Sequence, residues 1–172
     1  VIIKQEPPKM PANSKELRPH RMSVGIYDLA GDKLVRRKSL ELDVVGATTS
    51  VDAFKGEKEG DLLLINDGDL SYGKIRFDER SIATLKKNLG KLDDSLARAL
   101  CWSASWDMLR DAELSASDFI EMVTSGLVGE TDITTVTTLG NQLFGALETF
   151  SNPATRDATR VEIASRMEKQ MN

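Results

Sequence analysis

Apolar and polar residues alternate with a period of two in the first half of the chain. One alternating run covers residues 22–29, with the sequence MSVGIYDL, and a second covers residues 33–45, with the sequence KLVRRKSLELDVV. In the second run Leu40, Leu42 and Val44 share one face. The loop Leu29–Lys33 between the runs contains Gly31, which can adopt positive φ, so the pattern predicts a β-hairpin.

Three further segments have strand character. They are residues 1–6 (VIIKQE), 47–54 (ATTSVDAF) and 61–66 (DLLLIN), and the polar stretch KGEKEGD separates the last two. Short strands at this spacing, divided by turn residues, are typical of a small antiparallel β-sandwich. The alternation continues through residues 72–77, which predicts a last strand there, preceded by a turn.

After Asp78 the apolar spacing becomes helical. In residues 81–90 (SIATLKKNLG) the apolar positions are three and four apart, and Gly90 is the predicted C′ residue that ends the helix. Residues 94–114 (DSLARALCWSASWDMLRDAEL) are apolar on two faces, which predicts a buried helix. Ser115–Asp118 resembles a capping box at the start of a third helix.

Two more helices are predicted before the C-terminus. Residues 132–150 keep their apolar positions in helical register, and Asn152 before Pro153 is typical of an N-cap followed by proline at the first helical position. The last helix carries an apolar stripe of Ile163, Ala164, Met167 and Met171. Consecutive helices of this length favour a helical array over a closed bundle. At the C-terminus we expect a cut surface that leaves part of this stripe uncovered.

The predicted fold class is therefore α+β, with a small antiparallel β-sandwich followed by an all-helical array. The change of period and the loop GKLDD locate the junction between Asp78 and Asp94. We predict two domains, a β-sandwich over residues 1–78 and the N-terminal part of a helical cap over residues 79–172.

Charge and composition limit the possible functions. The 172 residues are 40% hydrophobic and 29% charged, and the net charge is -4. Residues 1–92 contain 17 basic and 14 acidic side chains and residues 93–172 contain 6 and 13, so the second part has a net charge of -7. This part would repel phosphate, so no nucleic-acid partner is predicted. No apolar run approaches the roughly 18 residues of a membrane span, so no membrane partner is predicted either.

The ends and the cysteine content point to a cytoplasmic fragment. The chain begins at Val1 without methionine and lacks the pattern of a signal peptide, so we expect a piece of a longer protein. The single cysteine, Cys101, cannot form an internal disulfide, which suits a reducing compartment.

Calcium is the first metal to consider, because residues 65–79 (INDGDLSYGKIRFDE) contain four acidic side chains. Counted from Asp67 as position 1, an EF-hand loop requires glycine at position 6 and glutamate at position 12. Those positions hold Tyr72 and Asp78. The mismatch argues against calcium.

The sequence contains few candidate catalytic residues. His20 is the only histidine, so a His-Glu-x-x-His zinc site cannot form, and His20 is predicted at the partly exposed start of a strand. Cys101 lies on an apolar helix face and is predicted to be a small buried residue. No phosphate-binding glycine motif occurs. Trp102 and Trp106 are predicted to pack in the core, and the basic run Arg36–Lys38 is predicted to be solvated.

Two stretches carry a family resemblance, over residues 62–85 and 96–123. They resemble the bacterial branch of the aminopeptidase N family of zinc metallopeptidases, and the similarity extends less strongly from residue 18 to residue 150. Gly68 departs from the acidic residue of the family pattern. The matching residues are Asn66, Asp67, Asp69, Leu70, Tyr72, Lys74, Arg76, Asp78, Glu79, Arg80, Ser81, Ala97–Trp102, Trp106–Met108 and Arg110–Glu113.

The resemblance implies a position within a larger enzyme. In that family a thermolysin-like catalytic domain precedes a small β-sandwich and a large helical domain that caps the active site. The zinc ligands and the oxyanion-stabilising tyrosine then belong upstream, so no catalytic, cofactor-binding or metal residue is carried over to this chain. Met167–Glu168 lacks the glycine and asparagine of the family's Gly-x-Met-Glu-Asn motif.

The function implied is non-catalytic. This chain would support the catalytic domain of the same polypeptide and cover its active site, with zinc as cofactor and peptides as substrates of the full-length enzyme. The alternative is a freestanding protein-binding module. A His-Glu-x-x-His sequence upstream of Val1 favours the enzyme, and an initiator methionine just before Val1 favours the module.

Overall fold

The computed structural model describes residues 1–10 and 13–171, with side chains through residue 169. Within this part of the chain, five strands precede five helices, in agreement with the predicted α+β class. The strands are β1 (Ile2–Lys4), β2 (His20–Ala30), β3 (Lys33–Val44), β4 (Thr48–Ser50) and β5 (Leu62–Ile65).

The strands form two antiparallel sheets. β1 pairs with β4 in the smaller sheet, and the larger sheet has the order β3-β2-β5. β2 and β3 form the predicted hairpin, with Ala30 opposite Lys33 and Gly31 at φ 65° in the turn. A glycine meets this positive φ without strain.

A β-bulge determines which side chains of β3 face which core. The register shifts between Ile26 and Tyr27, where Ile26 lies opposite Lys38 but Tyr27 lies opposite Arg36. On the far side of the bulge, Leu40, Leu42 and Val44 share the face that packs toward β1 and Phe54. On the near side, Leu34 is also an even-numbered residue and would share that face in a regular strand. It packs instead into the core on the other side of the sheet. An inserted residue reverses the face of every later position in a strand.

The helices begin where the sequence provides caps. They are α1 (Glu79–Asn88), α2 (Ser95–Arg110), α3 (Ala116–Gly126), α4 (Ile133–Gly145) and α5 (Arg156–Met171). The side chains of Asp78, Asp94, Ser115 and Asp132 each accept a backbone N–H from the first turn of α1, α2, α3 and α4 respectively. These oxygens satisfy donors that a helix start leaves free. The predicted cap at Ser115 is confirmed.

Two predicted helix boundaries are wrong. α1 ends at Asn88 and continues into a 3-10 turn over Leu89–Lys91, so Gly90 is not a left-handed C′ residue. A Cβ on Gly90 would lie 2.6 Å from the carbonyl oxygen of Gly126, so close backbone approach explains the glycine. Asn152 accepts from the N–H of Ala154, but α5 starts only at Arg156.

The helices pack on the larger sheet. Tyr27, Leu34, Leu62 and Leu64 belong to the same buried cluster as the apolar residues of α1, α2 and α3. The predicted burial of α2 is confirmed, since both of its apolar stripes contribute to this cluster. The larger sheet therefore lies between the small sheet and the helices. The domain boundary at residues 78 and 79 stays a prediction.

The C-terminal helix is the least buried. In α5, Ile163 and Met167 are partly buried and Ala164 is exposed, while the predicted contribution of the Met171 side chain lies outside the described residues. None of the helices in the described chain is both long enough and apolar enough to cross a membrane.

Candidate functional site

The segment after β5 forms a tight turn held by Asn66. Asn66 is buried and has φ 61°, a conformation that asparagine tolerates better than most residues. Its side chain accepts from the N–H of Ser71 at 3.0 Å and donates to the carbonyl oxygen of Ser71 at 2.6 Å. Both bonds close the loop on itself, and the predicted turn is present.

The predicted last strand over residues 72–77 is wrong. These residues form no ladder with another strand, because β5 pairs with β2 on one edge and meets α1 on the other, where the N–H of Leu63 donates to Ser81 Oγ at 3.0 Å. Side chains anchor the segment instead. Phe77 is buried, and Lys74 and Arg76 donate to the carboxylate of Asp111.

Asp67 is the centre of a buried polar network between the larger sheet and the helices. Only 1% of its side chain is exposed. Tyr27 donates its hydroxyl proton to Asp67 Oδ1 at 2.8 Å, and Arg36 Nη1 donates to Oδ2 at 3.0 Å. Ser39 Oγ donates weakly to Oδ2 at 3.3 Å. A buried carboxylate requires such partners, because leaving it unpaired costs several kcal/mol.

Glycine at position 25 makes room for this carboxylate. A Cβ on Gly25 would lie 2.5 Å from Asp67 Oδ2 and 2.8 Å from the Tyr27 ring. Glycine inside a strand often marks such a close approach. This network was not predicted from the sequence. A glycine between large apolar residues of a strand is the feature of the sequence that could have indicated it.

The network perturbs the protonation of its neighbours. Burial raises the pKa of the Tyr27 hydroxyl, and the hydrogen bond to Asp67 raises it further. The hydrogen bond to Asp67 also raises the pKa of Arg36. Burial raises the pKa of the Cys101 thiol, and the negative charge of Asp67 adds to this effect. Cys101 is therefore held as a neutral thiol, which is a poor nucleophile.

A second buried carboxylate ties α2 to the loop before α4. Glu130 Oε1 accepts from Arg98 Nε and from Trp102 Nε1, both at 2.7 Å. Arg98 also donates to the carbonyl oxygen of Leu92 at 2.5 Å. Only 4% of the Glu130 side chain is exposed. This contact places Trp102 in the core, as predicted, with its polar atom satisfied.

The other candidate residues lie apart. His20 Nδ1 is 2.7 Å from Ser71 Oγ, a pairing that the sequence did not suggest. Trp106 is partly buried and packs its ring 5.4 Å from that of Phe119. The basic residues 36–38 are engaged in ion pairs with neighbouring carboxylates. Nothing in these contacts brings His20, Cys101 and the tryptophans into one site.

The acidic residues of the helical part are largely paired with cations. Asp111 accepts from Lys74 and Arg76, and the hydrogen bond from Lys74 is the main cause of its lowered pKa. Lys86 pairs with Asp118 at 2.5 Å and with Glu121 at 3.1 Å. Because nearby cations neutralise many of these carboxylates, the negative charge at this surface is smaller than the count of residues 93–172 indicates.

Zinc does not fit the residues that the structure describes. Across residues 1–10 and 13–171, no group of three or more histidine, cysteine, aspartate or glutamate side chains is placed to hold a metal ion. A protein zinc site uses three or four such ligands.

Comparison with known proteins identifies the family. Residues 62–172 match the family model described as "ERAP1-like C-terminal domain". Over 160 residues, or 91% of the chain, the sequence is 46% identical to Aminopeptidase N of Streptomyces lividans. The chain spans 19% of the length of that relative. The resemblance to the aminopeptidase N family is confirmed, and the chain belongs to the family of ERAP1-like C-terminal domains.

Proposed function

We propose that this chain is a non-catalytic part of the C-terminal region of a zinc-dependent aminopeptidase N, which removes N-terminal residues from peptides. The observation that carries the proposal is the 46% identity to an Aminopeptidase N over 91% of the chain. The match to a C-terminal domain family supports the placement after the catalytic domain. In this proposal zinc is held by the upstream domain of the same polypeptide, in the cytoplasm.

The role of the chain is to support the catalytic domain and to cover its active site. The interlocked side chains around Asp67 and Glu130 suit a supporting role, because buried, fully bonded polar groups hold packed elements in one arrangement. A covered active site would admit the ends of peptides and exclude folded proteins. These features belong to the proposal and rest on the family.

The first experiment compares the full polypeptide with the isolated chain. We expect the full polypeptide to hydrolyse aminoacyl-anilides, to lose this activity with a chelator, and to regain it with zinc. The isolated 172-residue chain is expected neither to hydrolyse these substrates nor to bind zinc tightly. Activity of the isolated chain, or an inactive full polypeptide without an upstream His-Glu-x-x-His, would overturn the proposal and favour the freestanding binding module.

The second experiment tests the covering role. The full polypeptide is given a short peptide and a folded protein with the same N-terminal residues. A covered site is expected to release the N-terminal residue of the peptide and to leave that of the folded protein intact. Equal rates on both substrates would contradict the covering role while leaving the peptidase activity in place.

A further inference from the structure

The polar network around Asp67 links four elements in an unbroken series of hydrogen bonds. Asp67 follows β5, its partner Tyr27 belongs to β2, and its partner Arg36 belongs to β3. Arg36 Nη2 extends to Asp94 Oδ2 at 3.4 Å. Asp94 in turn accepts the N–H groups of Leu96 and Ala97 and so caps α2. The first residues of α2 are thereby connected to the centre of the larger sheet.

The carboxylate of Asp67 has no substitute for these partners. It is 1% exposed, and its donors Tyr27, Arg36 and Ser39 all belong to β2 and β3, so the network reaches the helices through the contact of Arg36 with Asp94. A buried charge that loses a partner is strongly destabilising. Separating the sheet from the helices would break the contact of Arg36 with Asp94 and would expose the shared apolar surface at the same time.

Apolar packing provides a second and independent link. Tyr27, Leu34, Leu62 and Leu64 from the larger sheet share one core with Leu85, Leu89 and Cys101 from the helical part. A parallel β-bridge joins Leu34 to Leu92. The helices consequently use the sheet as one wall of their own core.

Ion pairs at the rim connect the same two parts. Lys33 Nζ lies 3.0 Å from Asp93 Oδ1, and Arg80 pairs with both Glu59 and Asp61 at 3.1 Å. These pairs are partly exposed and contribute little each. The pairs connect residues before the junction with residues after it, which is consistent with a fixed position of the sheet relative to the helices.

We propose that the larger sheet and helices α1–α3 form one cooperative unit with Asp67 as its central polar contact, so that residues 78–94 are neither a hinge nor a folding boundary. This inference goes beyond the proposed function, since it concerns how the two layers move and unfold. It also departs from the prediction of two domains with a junction between Asp78 and Asp94. Opening either layer exposes apolar surface of the other, so a shared core favours their opening together.

Amide hydrogen exchange on the full 172-residue chain tests the proposal. Under conditions where exchange reports the opening equilibrium, protection is compared between residues 24–27 of β2 and residues 101–108 of α2. The variant Asp67→Asn keeps the shape of the side chain and removes its charge. The control Asp43→Asn removes the same charge from an exposed side chain of β3 that pairs with Arg21.

One cooperative unit predicts equal effects in the two segments. Asp67→Asn is expected to lower protection in β2 and in α2 by the same factor, about 10- to 100-fold, as expected for hydrogen bonds to a charged group. Asp43→Asn is expected to change protection by less than about threefold, as for an exposed ion pair. A loss confined to β2, or an Asp67→Asn effect no larger than that of the control, would overturn the proposal.

A milder variant covers the case in which Asp67→Asn does not fold. Tyr27→Phe keeps the aromatic ring in the core and removes the 2.8 Å hydrogen bond. Protection is expected to fall about fivefold, equally in both segments. A fall in β2 that leaves α2 unchanged would show that the two layers open separately.

Discussion

Helices α3 and α4 show that the composition of a helix does not determine its burial. α3 contains the charged residues Asp118 and Glu121, yet six of its eleven residues are buried. α4 contains no charged residue in thirteen positions, yet Leu139 is its one buried residue. In α4, Ile133 is 75% exposed and Phe144 is 66% exposed.

The difference lies in the neighbours that the fold supplies. α3 packs against α1, α2 and the turns near Leu89 and Leu127, so most of its surface has a partner. α4 contacts α3 and the helical turn Ala146–Phe150 that follows it, and most of its remaining surface is exposed. An uncharged sequence permits burial, but only the placement of other elements achieves it.

The largest expected contrast comes from the same substitution in both helices. Phe119 is fully buried and packs on Trp106, so Phe119→Ala is expected to lower the free energy of unfolding by about 3–5 kcal/mol. Phe144→Ala is expected to change it by less than about 0.5 kcal/mol. Urea unfolding followed by far-UV circular dichroism measures both. A costly Phe144→Ala would show that this face is covered in solution, and the dependence on protein concentration would then reveal self-association.

Two glycines give a smaller contrast with opposite signs. A Cβ on Gly126 would lie 2.9 Å from the Trp102 ring, so Gly126→Ala is expected to destabilise the protein by about 1–3 kcal/mol. A Cβ on Gly140 would meet open space, so Gly140→Ala is expected to stabilise α4 by up to about 1 kcal/mol. The thermal unfolding midpoints of the two variants, compared with that of the unchanged protein, test both expectations. Destabilisation by Gly140→Ala would mean that this face of α4 has a close neighbour.

The smallest expected effect concerns the caps and their response to acid. Asp132 caps α4, and the hydrogen bond from the Thr135 N–H lowers its pKa, whereas α3 is capped by the non-ionising Ser115. A carboxylate whose pKa is lowered by folding stabilises the folded state at pH values above its unfolded pKa of about 3.9. This contribution is lost as the pH falls through the pKa of the folded state. Amide exchange at Thr135 is therefore expected to accelerate on acidification relative to exchange at the same amide in the variant Asp132→Asn.

The variant Asp132→Asn is the control for this measurement. Asparagine can cap a helix without ionising, so the exchange rate at Thr135 in the unchanged protein, divided by the rate in the variant, is expected to rise as the pH falls. If this ratio is constant from pH 6 to about pH 3, ionisation of the Asp132 cap does not contribute to the local stability of α4.

Local patterns predicted much of the fold because they act over short distances. The hairpin at Gly31, the shared face of Leu40 and Leu42, and the cap at Ser115 depend on neighbouring residues, and the structure contains all three. The strand predicted over residues 72–77 fails for the opposite reason. Alternation shows that a segment is extended, but a strand also needs a partner strand, and the preceding β5 pairs with β2 on one edge and contacts α1 on the other.

The networks around Asp67 and Glu130 lay beyond sequence reasoning. Asp67 is 40 residues from Tyr27, and Glu130 is 32 residues from Arg98. Such contacts depend on how the elements pack, and a single sequence shows the residues without their partners. Gly25 was the local feature that pointed to the Asp67 network. A glycine among large residues in a strand indicates that another group lies close to the backbone, but it does not identify that group.

The sequence by itself determined that strands precede helices, the net charge of -4, and the family. These depend on periodicity, residue counts and identity, which need no three-dimensional information. The tertiary structure decided that the helices share their core with the sheet, that Gly90 serves close packing, and that α4 stays outside. Burial is a property of pairs of surfaces, so it is settled only when distant elements meet.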